Sequence, residues 1–572
     1  MQTNPVRFSG FVLRNLRSTL VAVGLFSIAG NLLLLTGPLF MLQVYDRILP
    51  SGSVPTLTVL FGLVCLLYLF YALFDSLRAQ LFSRVAFRLD RNLGQTIQRA
   101  CIRGQVDGKG DTSATMKDLK AVRHFLSAGG PPALFDAPWV VIYLGVIFAL
   151  HVSLGILAAA GAGLVIALAV LQELASRGPL KAAGRLEGEE TDYERQAFTS
   201  ADAMLTMGMV GHFTANWQTV RDRTMAQAQK ALSTGQLLGS GSKATRLLIQ
   251  SAMLALGALL AIRQEISPGT LIAASILSGR ALAPVDQLIA NWRGFVRARL
   301  AASKLADTFN ANAQQQPFSL PEPTGRLAVD GVVKLAPQHG SDRNAMPRPL
   351  LQGLNFNLQP GDGLGIIGPS GSGKSCLARL LTGLWAPDRG SVTLDGAPFS
   401  AWDRDRLGRH IGYLPQNVQL LSGTIAQNIA RFDADAAAED VVEAAKRAGV
   451  HDIILSLPQG YETPVGTTAS PLSGGQAQRI ALARAIFRKP CLIVLDEPNA
   501  HLDAEGEAAL ANCIRAMRQA GSTVVVVAHR PNAVAAVNKM LVLNEGRQMR
   551  FGDKQQVLSD DHSKTGIHVV SG

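Results

Sequence analysis

The chain has 572 residues and a formal net charge of +12, and 48% of its residues are hydrophobic while only 17% are charged. Soluble proteins carry about 25% charged residues, so this composition argues against a wholly soluble protein. The long uncharged runs lie before residue 300, and the rest of the chain has ordinary globular composition. We therefore predict a membrane half followed by a soluble half. The basic charge is attributed to the cytoplasmic ends of membrane helices rather than to nucleic-acid binding.

Uncharged segments in the first half are long enough to cross a lipid bilayer, which requires about 20 apolar residues per helix. The first apolar run is too long for a cleaved signal peptide, so the N-terminus is predicted to be a cytoplasmic lead-in to the first span. The HVSLG stretch at 151–155 is predicted to be a turn that divides one long run into two helices. The six predicted spans are 18–45, 48–74, two within 137–172, 247–262 and 267–290.

The charge of the connecting loops predicts the orientation of these spans. Residues 76–130 carry ten Lys or Arg against four Asp, whereas the connections on the opposite side carry almost no charge. The positive-inside rule therefore places both termini, the long loops and the soluble half in the cytoplasm. Loops 76–130 and 174–240 repeat apolar residues at a spacing of three to four, so we predict that the membrane helices continue into the cytoplasm as rods.

Arg280 lies inside the sixth predicted span, where a cation costs about 2.5–3.5 kcal/mol on insertion scales. Two interpretations remain open. Arg280 faces a cavity or a partner, for which Asp136 and Asp286 are candidates, or it lies near the membrane edge and extends its side chain to the headgroups.

The second half begins after a proline-rich linker at 303–325 and contains the motif GPSGSGKS at 368–375. Its glycines allow the backbone to wrap around phosphate groups, Lys374 is expected to reach the terminal phosphates, and the hydroxyl of Ser375 is expected to bind Mg²⁺. This eight-residue pattern is specific for a nucleotide-binding loop.

Three further strands are predicted to end at polar residues on the same edge of the sheet. CLIVLDEP at 491–498 ends in Asp496, a candidate Mg²⁺ ligand, and Glu497, a candidate for orienting or deprotonating a water. TVVVVAHR ends in His529, and YLPQ places Gln416 where a polar side chain would meet the metal. In open α/β sheets, ligands bind at the carboxyl ends of the strands.

A second predicted anion site is the stretch PLSGGQAQR at 471–479. It reads as the N-terminus of a helix, where free N–H groups favour a phosphate. The glycine loop at 368–375 is already predicted to bind phosphate. The phosphate at the second site is therefore expected to be held by a different group of residues.

These motifs and their order resemble the nucleotide-binding domain of ATP-binding-cassette (ABC) transporters. The resemblance covers about residues 325–555 and implies ATP as the nucleotide. It also implies that the LSGGQ helix of one subunit closes on the γ-phosphate held by the other subunit. Because this chain has one membrane half and one cassette, we expect a homodimer with two composite ATP sites.

The resemblance, combined with the motifs, implies specific roles. The expected catalytic residues are Glu497, His529 and Lys374, and the expected Mg²⁺ ligands are Ser375, Gln416 and Asp496. The family usually stacks adenine on an aromatic residue that this chain lacks at the matching position, so either the adenine contact is weaker or Leu335 or Pro337 supplies it. The expected ATP contacts are Gly368, Pro369, Ser370, Gly371, Ser372, Gly373, Lys374, Ser375, Cys376, Gln416, Ser473, Gly474, Gly475, Gln476 and Asp503.

The membrane half narrows the resemblance to the inner-membrane ATPases of type I secretion, in the branch that exports proteases, lipases and repeats-in-toxin proteins. This implies export of an unfolded polypeptide with a C-terminal signal, together with a periplasmic membrane-fusion adaptor and a TolC-like outer-membrane channel. The segments that carry this resemblance are MLQVYDRILPSGSVPTL (41–57), FDAPWVVIYLGVIFALH (135–151), SGRALAPVDQLIANW (278–292) and GYLPQNVQLLSGTIAQNIARF (412–432).

The predicted fold is a membrane all-α domain with six transmembrane helices, of the ABC exporter type, plus an α/β P-loop NTPase cassette. The predicted bounds are 1–305 for the membrane domain, 306–325 for the linker and 326–572 for the cassette. An exporter of lipids or small hydrophobic molecules with the same architecture remains an alternative. A P-loop ATPase that does not transport, for example in DNA repair, is disfavoured because such proteins lack six apolar spans.

Overall fold

The computed structural model describes residues 8–106, 112–127, 130–313, 320–336, 348–466, 472–528 and 534–559. Contacts within the chain divide it into two units. The first consists of Met1–Gln105 and Gly110–Gln314, and the second contains Gln315–Gly572.

The described residues of the first unit are almost entirely helical. Its helices are α1 (Phe8–Leu33), α2 (Thr36–Gln43), α3 (Leu49–Ser51), α4 (Val54–Val106), α5 (Thr112–Ser127), α6 (Gly130–Asp136), α7 (Trp139–Leu150), α8 (Val152–Thr199), α9 (Ala201–Thr206), α10 (Val210–Ile262) and α11 (Pro268–Ala313). A π-helical turn, Val44–Ile48, precedes α3. Helices α4, α8 and α10 run without interruption far beyond the apolar segments, which confirms the predicted helical rods within the described residues.

The predicted turn at 151–155 is reduced to a single residue. His151 is extended, with φ −164°, between the last residue of α7 and the first residue of α8. Its Nδ1 accepts a hydrogen bond from the N–H of Ser153 at 3.3 Å and so caps the new helix.

Five helical segments of the described chain are long and apolar enough to cross a membrane: Arg17–Ser51, Val54–Gly104, Pro131–Leu150, Val152–Thr199 and Gln236–Ile262. The sixth predicted span lies on α11, which is a continuous helix but contains Arg280 and Asp286. The two carboxylates suggested as partners of Arg280 pair with other arginines. Asp136 binds Arg78 at 2.9 Å, and Asp286 binds Arg246.

The second unit is built on a ten-stranded sheet. In chain order its strands are β1 (Leu327–Leu335), β2 (Pro349–Leu358), β3 (Gly363–Ile367), β4 (Arg389–Leu394), β5 (Ala397–Pro398), β6 (Ile411–Leu414), β9 (Leu492–Asp496), β10 (Thr523–Val527), β11 (Lys539–Asn544) and β12 (Arg547–Asp553), and β7 (Gly423–Thr424) pairs with β8 (Pro464–Val465) apart from it. The helices are α12 (Lys374–Leu381), α13 (Arg404–His410), α14 (Ile425–Ile429), α15 (Ala438–Arg447), α16 (His451–Ser456), α17 (Gly474–Ile486), α18 (Ala504–Gln519) and α19 (Lys554–Ser559).

One half of this sheet is parallel, with neighbouring strands in the order β11, β3, β10, β9 and β6. The strands of this half are apolar on both faces, as expected when both faces are covered. Ile493 and Leu495 of β9 enter one hydrophobic cluster, and Leu492 and Val494 enter the cluster on the other face. This burial fixes the register, so the carboxyl ends of β3, β9 and β6 share one edge and carry the predicted site residues there.

The predicted domain boundary falls inside regular structure. Helix α11 continues through Ala313 rather than ending at residue 305. At the other end, the carboxylate of Asp395 accepts hydrogen bonds from the N–H and hydroxyl of Thr324, both at 2.6 Å, and from the N–H of Arg326 at 3.1 Å. The last residues of the predicted linker are therefore held against the sheet.

Candidate functional site

The loop between β3 and α12 has a backbone that only glycine fits at two positions. Gly368 has φ 157°, and a Cβ there would lie 2.1 Å from the carbonyl oxygen of Leu543. Gly373 has φ 95°, and its Cβ would lie 2.9 Å from the carbonyl oxygen of Leu350. The inner side of the loop thus packs against backbone at Leu543 and Leu350 of the same chain. Its outermost residues, Pro369, Ser370 and Gly371, are exposed. Such a loop presents N–H groups to an anion.

Lys374 brings a buried positive charge to the base of this loop. Its side chain is 4% exposed, and Nζ donates to the carbonyl oxygens of Gly368 at 2.8 Å and Pro369 at 2.9 Å. Burial lowers the pKa of Lys374, while the nearby carboxylates of Glu497 and Asp496 oppose that shift. The hydroxyl of Ser372 is buried and has no hydrogen-bond partner among the described residues. A cation and an unsatisfied hydroxyl at a glycine loop fit a bound phosphate.

Ser375 and Asp496 are brought together from the first turn of α12 and the end of β9. Ser375 Oγ donates to Asp496 Oδ1 at 3.3 Å, and Asp496 is 2% exposed. Burial raises the pKa of Asp496, and the hydrogen bond from Ser375 opposes the shift. Hydroxyl and carboxylate oxygens are the ligands that Mg²⁺ prefers, so this pair fits the predicted metal. Cys376, the next residue, packs against the core, and burial raises the pKa of its thiol.

Glu497 has a left-handed backbone, with φ 51°, which is uncommon for a residue other than glycine. Its N–H donates to the carbonyl oxygen of Val527 at 3.0 Å, and its own carbonyl oxygen accepts a bond from Gln478 Nε2 at 3.3 Å. Strained backbone of this kind persists where the surroundings over-determine it and is common at functional sites. The left-handed conformation of Glu497 ends β9 and turns the backbone away from it, directly after Asp496, the candidate Mg²⁺ ligand.

The signature helix α17 begins with a reciprocal cap. Gln476 N–H donates to Ser473 Oγ at 3.3 Å, and Ser473 N–H donates to Gln476 Oε1 at 2.9 Å. Gly475 lies close to the segment after β9, since a Cβ there would be 2.6 Å from the carbonyl oxygen of His501, and the neighbouring Gly474 approaches the ring of His501. Within the described chain, no hydrogen bond or ion pair joins 473–476 to the loop at 368–375. One chain does not bring the two anion sites together.

Sequence reasoning missed the residues that tie α17 to the end of β9. Gln478 is 3% exposed, its Nε2 donates to the carbonyl oxygen of Pro498 at 2.6 Å, and its Oε1 accepts from the N–H of His501 at 3.1 Å. Arg479 forms an ion pair with Asp503, whose carboxylate also caps α18 by accepting from Gly506 N–H at 2.9 Å. The sequence offered one signal: two polar residues, Gln478 and Arg479, come within three positions of the end of the LSGGQ motif.

The remaining predicted residues lie at the periphery of this constellation. Gln416 is exposed and follows β6, which pairs with β9, so it stands at the same sheet edge as Asp496. Leu335 ends β1 and is half-buried. His529 and Pro337 lie outside the described residues.

Comparison with known proteins identifies both halves. Residues 20–284 match the family described as ABC transporter transmembrane region, and residues 351–500 match the family described as ABC transporter. The chain is similar to the type I secretion system ATP-binding protein PrsD of Rhizobium meliloti (strain 1021), with 44% identity over 549 residues that cover 96% of this chain and 93% of the relative.

More distant similarities agree with that match. The exotoxin translocation ATP-binding protein PaxB of Pasteurella aerogenes is 30% identical over 566 residues, covering 96% of this chain and 77% of the relative. A solved structure of a bacterial Atm1-family ABC exporter with ATP bound superposes with a TM-score of 0.82 at 24% identity and 96% coverage of each chain. That last likeness concerns the fold alone.

Proposed function

The chain belongs to the ABC transporter family, among the type I secretion system ATP-binding proteins, and from this premise we propose that it exports an unfolded polypeptide with a C-terminal signal across the inner membrane. As a member of this family it hydrolyses ATP to drive transport. The observation that carries the proposal is the similarity to a type I secretion protein over almost the whole of both chains, the membrane region included.

The geometry of the site supports a role in ATP hydrolysis for each of the following described residues. Lys374 and the hydroxyl of Ser372 lie at the base of the glycine loop, where they would bind the phosphates of ATP. Ser375, Gln416 and Asp496 would hold Mg²⁺, which neutralises phosphate charge when it is bound. Glu497 directly follows Asp496, and its strained backbone supports a role in orienting or deprotonating the attacking water. His529, two positions after the end of β10 in the sequence, is the remaining catalytic residue of the proposal.

The complete ATP site is proposed to form between two copies of the chain. Ser473, Gly474, Gly475 and Gln476 begin a helix of 13 residues, whose N–H groups favour an anion. These residues make no described contact with the glycine loop of their own chain, so the loop of a second copy would supply the phosphate. Asp503, at the nearby cap of α18, would join the same interface.

The long helices of the membrane unit suggest how closure of the cassettes reaches the membrane. Helices α4 and α10 have 53 residues each, which corresponds to about 80 Å, and the hydrocarbon core is about 30 Å thick. Each helix therefore extends well beyond the bilayer. We expect ATP binding to close two cassettes together, and hydrolysis with phosphate release to reopen them.

Export to the outside would require partners that span the remaining cell envelope. A periplasmic membrane-fusion adaptor and a TolC-like outer-membrane channel are the expected ones, and the cassette would face the cytoplasm. The secreted protein and the lipid bilayer are the other expected contacts, and nucleic acid is not expected to bind.

The test compares proteins secreted by the host bacterium with the intact chain and with Glu497→Gln. The variant is expected to reach the membrane, bind ATP and accumulate as a closed dimer, because the γ-phosphate contacts form but the water is not activated. One or more polypeptides are expected to disappear from the medium. An unchanged set of secreted polypeptides, with lost efflux of lipid or a small hydrophobic molecule instead, contradicts polypeptide export. A variant that stays monomeric with ATP bound contradicts the composite site.

A further inference from the structure

The membrane unit contains a buried ion pair surrounded by hydrogen-bond donors. The carboxylate of Asp136, at the end of α6, accepts from Arg78 through both oxygens, at 2.9 and 3.0 Å. The same carboxylate accepts from Asn31 Nδ2 at 2.7 Å and from the hydroxyl of Ser27. Its side chain is 11% exposed and that of Arg78 is 14% exposed. Helices α1, α4 and α6 thus meet at one negative charge.

Asp136 and Arg280 lie at similar distances from the outer ends of their helical segments. Asp136 precedes His151, at the outer end of α7, by 15 positions, or roughly 22 Å of helix. Arg280 follows Pro268, at the outer end of α11, by 12 positions, or roughly 18 Å. Both values are smaller than the hydrocarbon thickness of about 30 Å. The carboxylate and Arg280 therefore stand at a similar level of the membrane unit, and an unpaired charge is unfavourable at the buried Asp136.

A second guanidinium group lines the same space. Asp136, Arg78 and Arg280 all border one cavity of about 180 Å³. Arg280 makes no hydrogen bond or ion pair with any described residue, and its side chain is exposed. The cavity is therefore lined by two carboxylates, Asp136 and Asp75, which both bind Arg78, and by a second arginine, Arg280.

The backbone hydrogen-bond ladder of α11 is interrupted at Arg280. Pro284 lies inside the helix and has no N–H, so the carbonyl of Arg280, four residues earlier, lacks its usual partner. The helix is held on either side of this point. Asp286 pairs with Arg246 of α10, and at the N-terminus of α11 the carboxylate of Asp46 accepts from Gly269 N–H at 2.8 Å. A change in the bend of α11 would thus move Arg280 relative to the cavity.

We propose that Arg280 is a positioning residue that replaces Arg78 at Asp136 during the transport cycle. Removing one partner of a buried ion pair is strongly unfavourable, because it leaves the other charge uncompensated. Rearrangement of α4 against α6 therefore requires a substitute cation, and Arg280 supplies it from the same cavity. Arg78 keeps a carboxylate in the exchange, since its other nitrogen binds Asp75 at 2.8 Å. This inference rests on the proposed transport cycle but not on the identity of the cargo.

The experiment measures ATP turnover by the purified full-length chain in lipid nanodiscs. Arg280→Met is expected to lower turnover about tenfold, with unchanged ATP affinity and thermal unfolding midpoint, because the cycle stalls when Asp136 has no second partner. Arg280→Lys is expected to retain most of the turnover. Adding Asp136→Asn to Arg280→Met is expected to restore turnover, because a neutral amide needs no replacement cation.

The matched control adds Asp286→Asn to Arg280→Met, which removes a carboxylate of the same helix that does not border the cavity. It is expected to restore nothing. Normal turnover in Arg280→Met overturns the proposal even if the Asp136 variant fails to fold, and so does a double variant with Asp136→Asn that stays as slow as Arg280→Met. Polypeptide secretion by the host with the wild-type chain is measured separately and tests the proposed export function. The ATP turnover of the Arg280 and Asp136 variants tests the exchange of arginines.

Discussion

The nucleotide site and the Asp136 cluster are built in opposite ways. The glycine loop occupies eight consecutive positions, and its shape comes from backbone angles and from the N-terminus of α12. The Asp136 cluster joins residues that are 109, 105 and 58 positions away from the carboxylate, and it is held together by side chains alone. A site made of backbone is visible as a motif, whereas a site made of distant side chains is visible only after folding.

The two regions also differ in their surroundings. The cassette places Lys374 and Asp496 at one edge of the sheet beside the glycine loop, where a substitution is expected to change chemistry and leave the fold intact. The membrane unit places Asp136 and Arg78 between helices, where the same kind of substitution changes packing as well as charge. Two substitutions and one pH titration test this contrast, from the largest expected effect to the smallest.

Lys374→Ala is expected to lower the rate of ATP hydrolysis by at least about 100-fold, as loss of a charged contact to a developing transition state does. The thermal unfolding midpoint is expected to stay unchanged, because Nζ bonds only to carbonyls of its own loop. Phosphate release and thermal unfolding of the purified chain measure the two quantities. Lys446→Ala, on the exposed face of α15, is the matched control. A normal rate of ATP hydrolysis, or a lowered thermal unfolding midpoint, contradicts the expectation that substitutions at this site change chemistry and leave the fold intact.

Gly269→Ala is expected to destabilise the membrane unit by about 1–3 kcal/mol, since the new Cβ would lie 2.5 Å from Asp46 Oδ1. The thermal unfolding midpoint in detergent is the measurement. The penalty is expected to shrink in an Asp46→Ala background, because contacting residues do not act additively. Gly241→Ala in α10 is the control, since its Cβ would meet nothing within 4 Å. Equal effects of Gly269→Ala with and without Asp46 would show that the carboxylate is not the cause.

The pH dependence of Mg²⁺ activation should show the smallest effect. Burial raises the pKa of Asp496, so the carboxylate takes up its proton at a higher pH than an ordinary aspartate. Mg²⁺ activation of ATP hydrolysis is therefore expected to weaken as pH falls through this raised pKa, because the protonated carboxyl group no longer binds the metal ion. The folded chain without metal gains relative stability over the same fall, because the folded state binds the proton more tightly. Titration of Mg²⁺ at several pH values measures the first trend, and thermal unfolding of wild type and Asp496→Asn measures the second. A pH-independent Mg²⁺ requirement contradicts the expectation.

The sequence was sufficient where structure is local. Apolar runs predicted the membrane helices, apolar periodicity predicted their helical continuations, and the burial of β9 on both faces follows from its uninterrupted apolar composition. The motifs at Gly368–Ser375 and Asp496–Glu497 predicted which sheet edge carries the site. The roles of those residues in binding and catalysis remain predictions.

The sequence was silent where a side chain bonds to distant backbone. Arg431 has φ 56° and donates to the carbonyl oxygens of Arg484, Gly408, Ile411 and Ala485 at 2.8–3.0 Å. Burial lowers the pKa of its guanidinium to about 10. Any residue can supply a carbonyl oxygen, so no residue type marked this junction or the bonds of Gln478.

The sequence by itself determined the two halves, the helical rods and the phosphate loop, because each depends on the order of neighbouring residues and on backbone geometry that glycine, proline and apolar spacing encode. Only the tertiary structure decided that Asp136 binds Arg78, that Asp286 binds Arg246 and that Arg280 is left facing the cavity. Charge alone would allow either carboxylate to pair with any of the three arginines. The packing of the helices decides which pairs form.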